Sequence, residues 1–290
     1  MKKDVKKKSR KSKYSNMSDS RRFVLKNNSS FYLREAYKSL RTNASFSLTD
    51  VEGCKIITVT SSLQREGKSL TALNLAISLG QTNQKVVILD CDLRRPKLGR
   101  LLNISSPAGV SNVLMNPSFL DVALLHVDEL GIDAILAGDI PPNPSELLAS
   151  NRMEKLLQEL RKSYDYIILD TPPVAVVTDA VVLAPLSDGV LFIVRANQSE
   201  RIAVMQAMEQ LDYAKAKVLG FVLNGIDPKD STNPYNRYRY SKYRAYGRYG
   251  YGYGYGYGYG YGGGYGYGYG YRPQSSPTPT QNPENGQNNQ

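Results

Sequence analysis

The chain has 290 residues, 41% of them apolar, and a formal net charge of +11. That length and apolar share suffice for one good-sized α/β core with material left over. The charge sits at the ends: residues 1–26 carry a net +9 and residues 235–290 a net +5, which leaves −3 between them and argues against nucleic acid as a partner of the folded body.

Residues 1–28 are charged and rich in Ser and Asn, so they read as a disordered basic segment; a solvated tail is the preferred reading over attraction to anionic lipid head groups. From Phe31 to Ser45 the pattern predicts a helix, with Glu35, Lys38 and Arg41 spaced by three on one face. Lys55–Thr60 reads as a strand, 61–67 as a loop, and 68–80 as a helix striped by Leu70, Leu73, Leu75, Ala76 and Leu79 and closed by Gly80. A strand at 86–90 completes a βαβ unit and hence a parallel pair. Residues 108–116 and 121–126 carry shorter helical or irregular patterns, and 132–136 reads as a strand running into a Gly/Pro-rich turn at 137–144. Helices are expected from Ser145 and over 152–162, then a strand at 166–170 broken by Thr171-Pro172-Pro173. Helix 178–184, strand 189–194, helix 200–215 and strand 218–224 finish the body. The alternation defines a doubly wound, mostly parallel α/β domain over 29–230.

The character then changes. Sixteen of the 22 tyrosines lie between Tyr235 and Tyr271, first interleaved with Arg, Asn and Lys, then alternating with Gly; beyond Arg272 the chain is rich in Pro, Ser, Thr, Asn and Gln. Glycine at every second position removes packing and maximises backbone entropy, so 231–290 is expected not to fold. Cys54 and Cys91 adjoin strands and read as small buried residues in a reducing compartment, not as a disulfide. No apolar run approaches the roughly 18 residues of a membrane span and no signal core opens the chain. The expectation is a cytoplasmic protein, peripheral at the inner face of the plasma membrane only through a partner.

Three strand ends carry the chemistry. Gly67-Lys68-Ser69 at a helix start offers backbone N–H groups, a cation and a hydroxyl to phosphate and Mg²⁺, although Ser62 stands where the full phosphate-loop pattern has its first glycine. Asp170 closes the Tyr-Ile-Ile-Leu strand as the expected acid for that Mg²⁺. Asp90 and Asp92, at i and i+2 after an apolar run, would point to the same side of a strand and could divide labour. One carboxylate could help hold Mg²⁺ and another take a proton from an attacking hydroxyl, with Asp90 the expected base or orienter and Asp92 and Asp170 the groups that reach Mg²⁺. The lone histidine, His126, has no Cys or His cluster near it and reads as a surface or packing residue. A mobile array of phenols beside a nucleotide site would make a phosphoryl acceptor; otherwise it is idle low complexity.

Glu35-Ala36-Tyr37-Lys38-Ser39-Leu40-Arg41, Glu66-Gly67-Lys68-Ser69, Asp90-Cys91-Asp92-Leu93-Arg94-Arg95-Pro96, Ala137-Gly138 with Pro141–Leu148, and Leu169-Asp170-Thr171-Pro172-Pro173 stand together in a specific order. Over roughly residues 30–230 the chain resembles the bacterial tyrosine kinases that govern capsule and exopolysaccharide synthesis. The resemblance implies a P-loop NTPase of the deviant Walker type that uses ATP and Mg²⁺. Lys68 and Ser69 match Walker A, Asp90 and Asp92 Walker A′, and Asp170 Walker B. The expected nucleotide set is Glu66, Gly67, Lys68, Ser69, Leu70 and Asn224. It further implies ring assembly through Glu35, Lys38 and Arg41, and entry of a neighbour's tail into the site. Tyr235, Tyr238, Tyr240, Tyr243, Tyr246 and Tyr249 are the expected acceptors. A separate membrane-bound activator of the polysaccharide chain-length type and a tyrosine phosphatase complete the expected partners.

The departures are Gln64-Arg65 where the family usually has Pro-Gly, Lys38 for the first Arg of the assembly motif, and Gly99 where His is common. If position 65 needs φ > 0, a non-glycine there costs on the order of 1–3 kcal/mol. Two other readings therefore stand beside the autokinase: a partitioning or division-site ATPase, which would carry a lysine early in the loop where this chain has Ser61-Ser62-Leu63-Gln64, and a catalytically weak pseudo-kinase scaffold.

Overall fold

In the computed structural model, residues 17–226 are described. They fall within one unit, Met1–Ser231; the second, Thr232–Gln290, lies outside the described residues, and so do the acceptor tyrosines. A 3₁₀ turn at Met17–Phe23 precedes helix α1 (Phe31–Phe46), whose N-cap Ser30 accepts from the Leu33 amide. Then come β1 (Lys55–Ser61), α2 (Lys68–Gly80), β2 (Val86–Asp90), α3 (Leu98–Leu102) and α4 (Val110–Met115). Next are α5 (Leu120–Ala123), β3 (Leu124–Val127), β4 (Ile132–Ile135), α6 (Pro144–Leu148) and α7 (Asn151–Arg161). The body closes with β5 (Tyr166–Asp170), α8 (Asp179–Leu183), β6 (Gly189–Arg195), α9 (Arg201–Tyr213) and β7 (Val218–Asn224).

The seven strands lie in the order β3-β4-β2-β5-β1-β6-β7, parallel except for the β3–β4 pair. All five residues of β2 and of β5 are buried, as expected for parallel strands covered on both faces. One layer packs α1 and α2 against the sheet around Leu73, Ile77, Ile57 and Ile168. The other sets α4 and α7 around Val113, Leu157, Leu89 and Ile167. Met153, Leu156, Leu157 and Leu160 form the buried stripe of α7, spaced as one helical face. Helix α2 is buried almost all round because α1 covers its outer side.

Strand register places the acidic groups. Asp90 of β2 and Asp170 of β5 are direct partners, each the last residue of its strand, and Val59 of β1 flanks Asp170 on the other side. Parallel strands therefore deliver both carboxylates and the loop after β1 to one edge, where open α/β sheets bind ligands.

Three expectations are corrected. The segment 1–28 is not wholly unstructured: Val24 and Leu25 are buried, and Asn74 of α2 ties them by accepting from the Leu25 amide (2.7 Å) and donating to the Phe23 carbonyl (2.9 Å). An apolar pair inside a charged run is too short to show periodicity. The stretch 121–126 divides into α5 and the edge strand β3, whose half-exposed four residues pair antiparallel with β4 across a turn at Gly131. Gly80 ends α2 without adopting a left-handed cap; its value is proximity, because a Cβ there would lie 2.6 Å from the Gly131 carbonyl oxygen.

Candidate active site

The loop between β1 and α2 is held from inside by Glu66. Its fully buried carboxylate accepts from the Ser62 hydroxyl (3.0 Å), the Leu63 amide (2.7 Å) and the Ser199 hydroxyl beyond β6. Asn224, at the end of β7, donates to the Glu66 carbonyl at 3.0 Å. Glu66 and Asn224 thus shape the loop, and the Glu66 carboxylate is turned inward. Ser62 fills the place of the missing glycine by bonding Glu66. Gly67 has φ 98°, and a Cβ on it would lie 1.9 Å from Asn224 Nδ2, so this glycine is required twice over. Arg65 also has positive φ, 67°, at the position where the family usually places glycine. Gln64 is pinned on both sides, its side-chain oxygen accepting from Arg95 (2.9 Å) and its carbonyl from Gln198 (3.3 Å).

Gly67 also starts the 13-residue α2 with no side-chain cap and no acidic residue in the first turn. Its leading amides and positive dipole end are therefore available to an anion. Lys68 and Ser69 come next in the chain, 3% and 5% exposed. Burial lowers the Lys68 pKa, and the nearby Asp170 carboxylate acts in the opposite sense. Leu70 packs its side chain on the apolar cluster between α2 and the sheet, so only its backbone belongs to the turn.

Asp170 is the informative residue. It is fully buried, and neither carboxylate oxygen has a hydrogen-bond partner of normal geometry among the described residues. Burial raises its pKa, with Lys68 and then the nearby Ser69 hydroxyl holding it down. A buried carboxylate without donors is costly unless a cation completes it. An orphaned carboxylate beside a lysine, a serine hydroxyl and a free helix N-terminus suits a nucleotide phosphate chain with Mg²⁺.

Asp90 is differently placed from its sequence expectation. β2 ends at Asp90, so Asp92 lies beyond the strand and the two do not share a face by alternation. Asp90 is fully buried and accepts from the amides of Asp92 (3.2 Å), Lys97 (3.0 Å) and Leu98 (2.9 Å), which curls the adjoining loop into α3. Its pKa is raised by burial first and by Asp170 second. Asp92, 5% exposed, accepts from the Arg95 amide at 3.0 Å, and burial raises its pKa against the opposing pull of that amide and then of Lys68. Asp90 organises the loop; Asp92 keeps more of its oxygen lone pairs available.

Sequence reading missed Asp179. It is fully buried at the start of α8 and pairs with Arg94 through Nε (2.9 Å) and NH2 (3.2 Å), while the Ser145 hydroxyl of α6 also donates to it. The signal for Arg94 lay in the Asp-x-Asp-x-Arg spacing; its partner lies 85 residues away. On α1, Lys38 and Glu35 pair at 2.7 Å, but Arg41 turns to the Ser78 carbonyl of α2 (2.5 Å), so the three do not form one exposed cluster.

The profile described as "ParA: NUBPL iron-transfer P-loop NTPase" matches residues 53–233. Sheet order, phosphate loop and paired strand-end carboxylates define a P-loop NTPase of the ParA type. An archaeal septum-site protein, MinD, from Pyrococcus horikoshii, at 20% identity and TM-score 0.52, shares the fold alone. Closer likeness runs elsewhere. Tyrosine-protein kinase YwqD of Bacillus subtilis is 35% identical over 216 residues, covering 74% of this chain and 86% of that protein. Putative tyrosine-protein kinase CapB of Staphylococcus aureus is 32% identical, covering 71% and 90%. The kinase domain of Escherichia coli Etk superposes with TM-score 0.69 at 33% identity, over 73% of this chain and 82% of that one. The chain belongs to the bacterial tyrosine-kinase family, and its activity is that of a protein-tyrosine kinase.

Proposed function

We propose that the chain is an ATP- and Mg²⁺-dependent tyrosine autokinase of a capsule or exopolysaccharide system, which phosphorylates its C-terminal tyrosine cluster in trans. The observation that carries the nucleotide assignment is the unpartnered, buried Asp170 carboxylate beside Lys68 and Ser69. When bound, ATP supplies the phosphoryl group and Mg²⁺ spreads its charge. Lys68 and the α2 amides would bind the phosphates, Ser69, Asp92 and Asp170 would hold the cation, and Asp90 would keep the Asp92 loop in place. A tyrosine phenol is a weak nucleophile at neutral pH, with a pKa near 10. Of the two Walker A′ carboxylates, Asp90 would orient it and take its proton as the phenol oxygen bonds to phosphorus and the bond to the departing ADP oxygen breaks.

The family relationship supports oligomerisation, with Glu35, Lys38 and Arg41 on or beneath the contact surface, and a separate membrane-bound activator that would hold the kinase at the inner face of the plasma membrane. No helix among the described residues is long and apolar enough to cross a membrane. A tyrosine phosphatase would reset the tail. The kinase relatives favour this reading over a partitioning ATPase. Incubation of the full chain with ATP and Mg²⁺, then phosphopeptide mass spectrometry, tests it. Phosphate on Tyr235, Tyr238, Tyr240, Tyr243, Tyr246 or Tyr249 is expected. Phosphate confined to Tyr32, Tyr37 or Tyr164 would overturn the acceptor assignment.

A further inference from the structure

Residues 21–34 hold aromatic rings and cations outward on a strap that is clipped to the body, and the kinase chemistry uses none of them. Val24 and Leu25 are buried in the apolar cluster around α2, where Asn74 accepts from the Leu25 amide (2.7 Å) and donates to the Phe23 carbonyl (2.9 Å). Arg21 donates to the Asn103 side chain, just past α3, at 2.7 Å. After the buried pair, the Lys26 amide donates to Ser29 Oγ (2.9 Å) and Arg34 to the Asn27 carbonyl (3.1 Å), closing the turn into α1. Phe23, Phe31 and Tyr32 nevertheless stay 46%, 44% and 44% exposed. The Arg22 guanidinium lies 4.7 Å over the Phe23 ring, and the Phe31 and Tyr32 rings meet edge to face at 6.0 Å. Arg21, Arg22, Lys26 and Arg34 stand on this stretch, and no Asp or Glu does. Residues 1–16 add eight Lys or Arg against Asp4 alone.

We propose that residues 21–34, with the basic residues that precede them, are a docking surface for an anionic lipid bilayer. The cations meet lipid phosphates, and Phe23, Phe31 and Tyr32 enter the apolar boundary beneath them. A solvated tail needs neither a clip to the body nor outward aromatic rings; a membrane-contact surface uses both. Charge selects the occupant. A second copy of so cationic a segment is repelled by the first, and nucleic acid would bring its phosphates against a body of net −3. An anionic bilayer offers negative charge above an apolar interior, which fits cations and rings on one short stretch. The contact is made by this chain itself, independently of any activator and of the nucleotide site.

The test is sedimentation of the purified full chain with vesicles of phosphatidylcholine alone and of equimolar phosphatidylcholine and phosphatidylglycerol. Binding to the anionic vesicles should be at least about tenfold tighter and should fall as salt is raised. Phe23→Ser combined with Phe31→Ser should weaken it at least about fivefold. A second variant, Lys6→Gln with Lys7→Gln and Lys8→Gln, changes no residue of the folded body and should weaken it as well, whatever the serine variant does to folding. Equal affinity for both vesicle types, no binding to either, or wild-type binding by both variants would overturn the proposal. So would a serine variant that keeps vesicle binding but loses mass in light scattering, which would make the rings a contact between copies. A single-stranded oligonucleotide that binds the wild-type chain and not the serine variant, with vesicle binding unaffected, would assign the surface to nucleic acid instead.

Discussion

Arg94 holds Asp179 through two guanidinium nitrogens, so a buried carboxylate on α8 is neutralised by a half-exposed arginine from the loop after β2. The pair ties the carboxylate loop to α8, and Ser145 adds α6 to the same knot. Removing only the cation leaves Asp179 charged and buried, which costs more than losing one surface pair. Arg94→Ala should destabilise the protein by about 2–3 kcal/mol. Adding Asp179→Asn to it should recover part of that loss. Urea titration of both single variants and the double variant checks the coupling; additive losses would show that the two do not interact.

Lys68 gives the opposite balance. Burial works against its charge, and in the protein without nucleotide the main compensation is Asp170. Lys68→Met should keep a thermal midpoint within a few degrees of wild type yet lose tyrosine phosphorylation, detectable with a phosphotyrosine antibody. Retained phosphorylation would remove Lys68 from the phosphate site.

The phosphate loop makes two contrasting demands on backbone. Arg65 has φ 67° and Gly67 has φ 98°. Left-handed backbone costs a non-glycine residue roughly 1–2 kcal/mol, so Arg65→Gly should stabilise the fold by about 1 kcal/mol after the entropy of the unfolded glycine is counted. Gly67→Ala meets both strain and the Asn224 amide. It should expel Asn224 from the Glu66 carbonyl and abolish nucleotide binding, as a titration would record. Tolerance of alanine at 67 would mean that the loop is looser than its contacts imply.

His126 on β3 contacts Asp133 through Nδ1 and Asp128 through Nε2. The bond to Asp133 is the main cause that raises its pKa above the usual imidazole value. A raised folded-state pKa contributes stability that is fully present below the unfolded value, near 6.5, and is lost as pH rises through the folded value. His126→Gln should therefore flatten the dependence of the thermal midpoint on pH between about 6 and 8. An unchanged slope would assign that dependence to other groups.

Much of this architecture was legible because it rests on local patterns. The runs ending at Asp90 and Asp170 are apolar throughout and stop at a charge, as buried parallel strands do. The stripe of α7 repeats with helical period, and Gly67-Lys68-Ser69 needs only its place between strand and helix. What escaped was set by distant partners. Nothing near Glu66 foretells that Ser199 and Asn224 close the loop over it, 133 and 158 residues further on. The alternation rule failed for Asp92 because it assumes that the strand continues, whereas Asp90 commits its carboxylate to the backbone that bends away. Strand β3 escaped because four half-exposed residues show no period, and its place at the sheet edge comes from the turn before β4.

The stitching of the phosphate loop also sets an order of events during synthesis. Residues 62–67 leave the ribosome early, but their conformation is locked by a hydroxyl at 199 and an amide at 224. Contacts of such separation close late, after loop entropy has been overcome and the intervening strands have paired. The nascent chain will therefore present β1 and α2 long before it possesses a finished cradle, and a kinase domain cut short of residue 224 should remain sheet-forming yet blind to nucleotide. The site that defines the protein's chemistry is thus completed only by the final strand of the described fold.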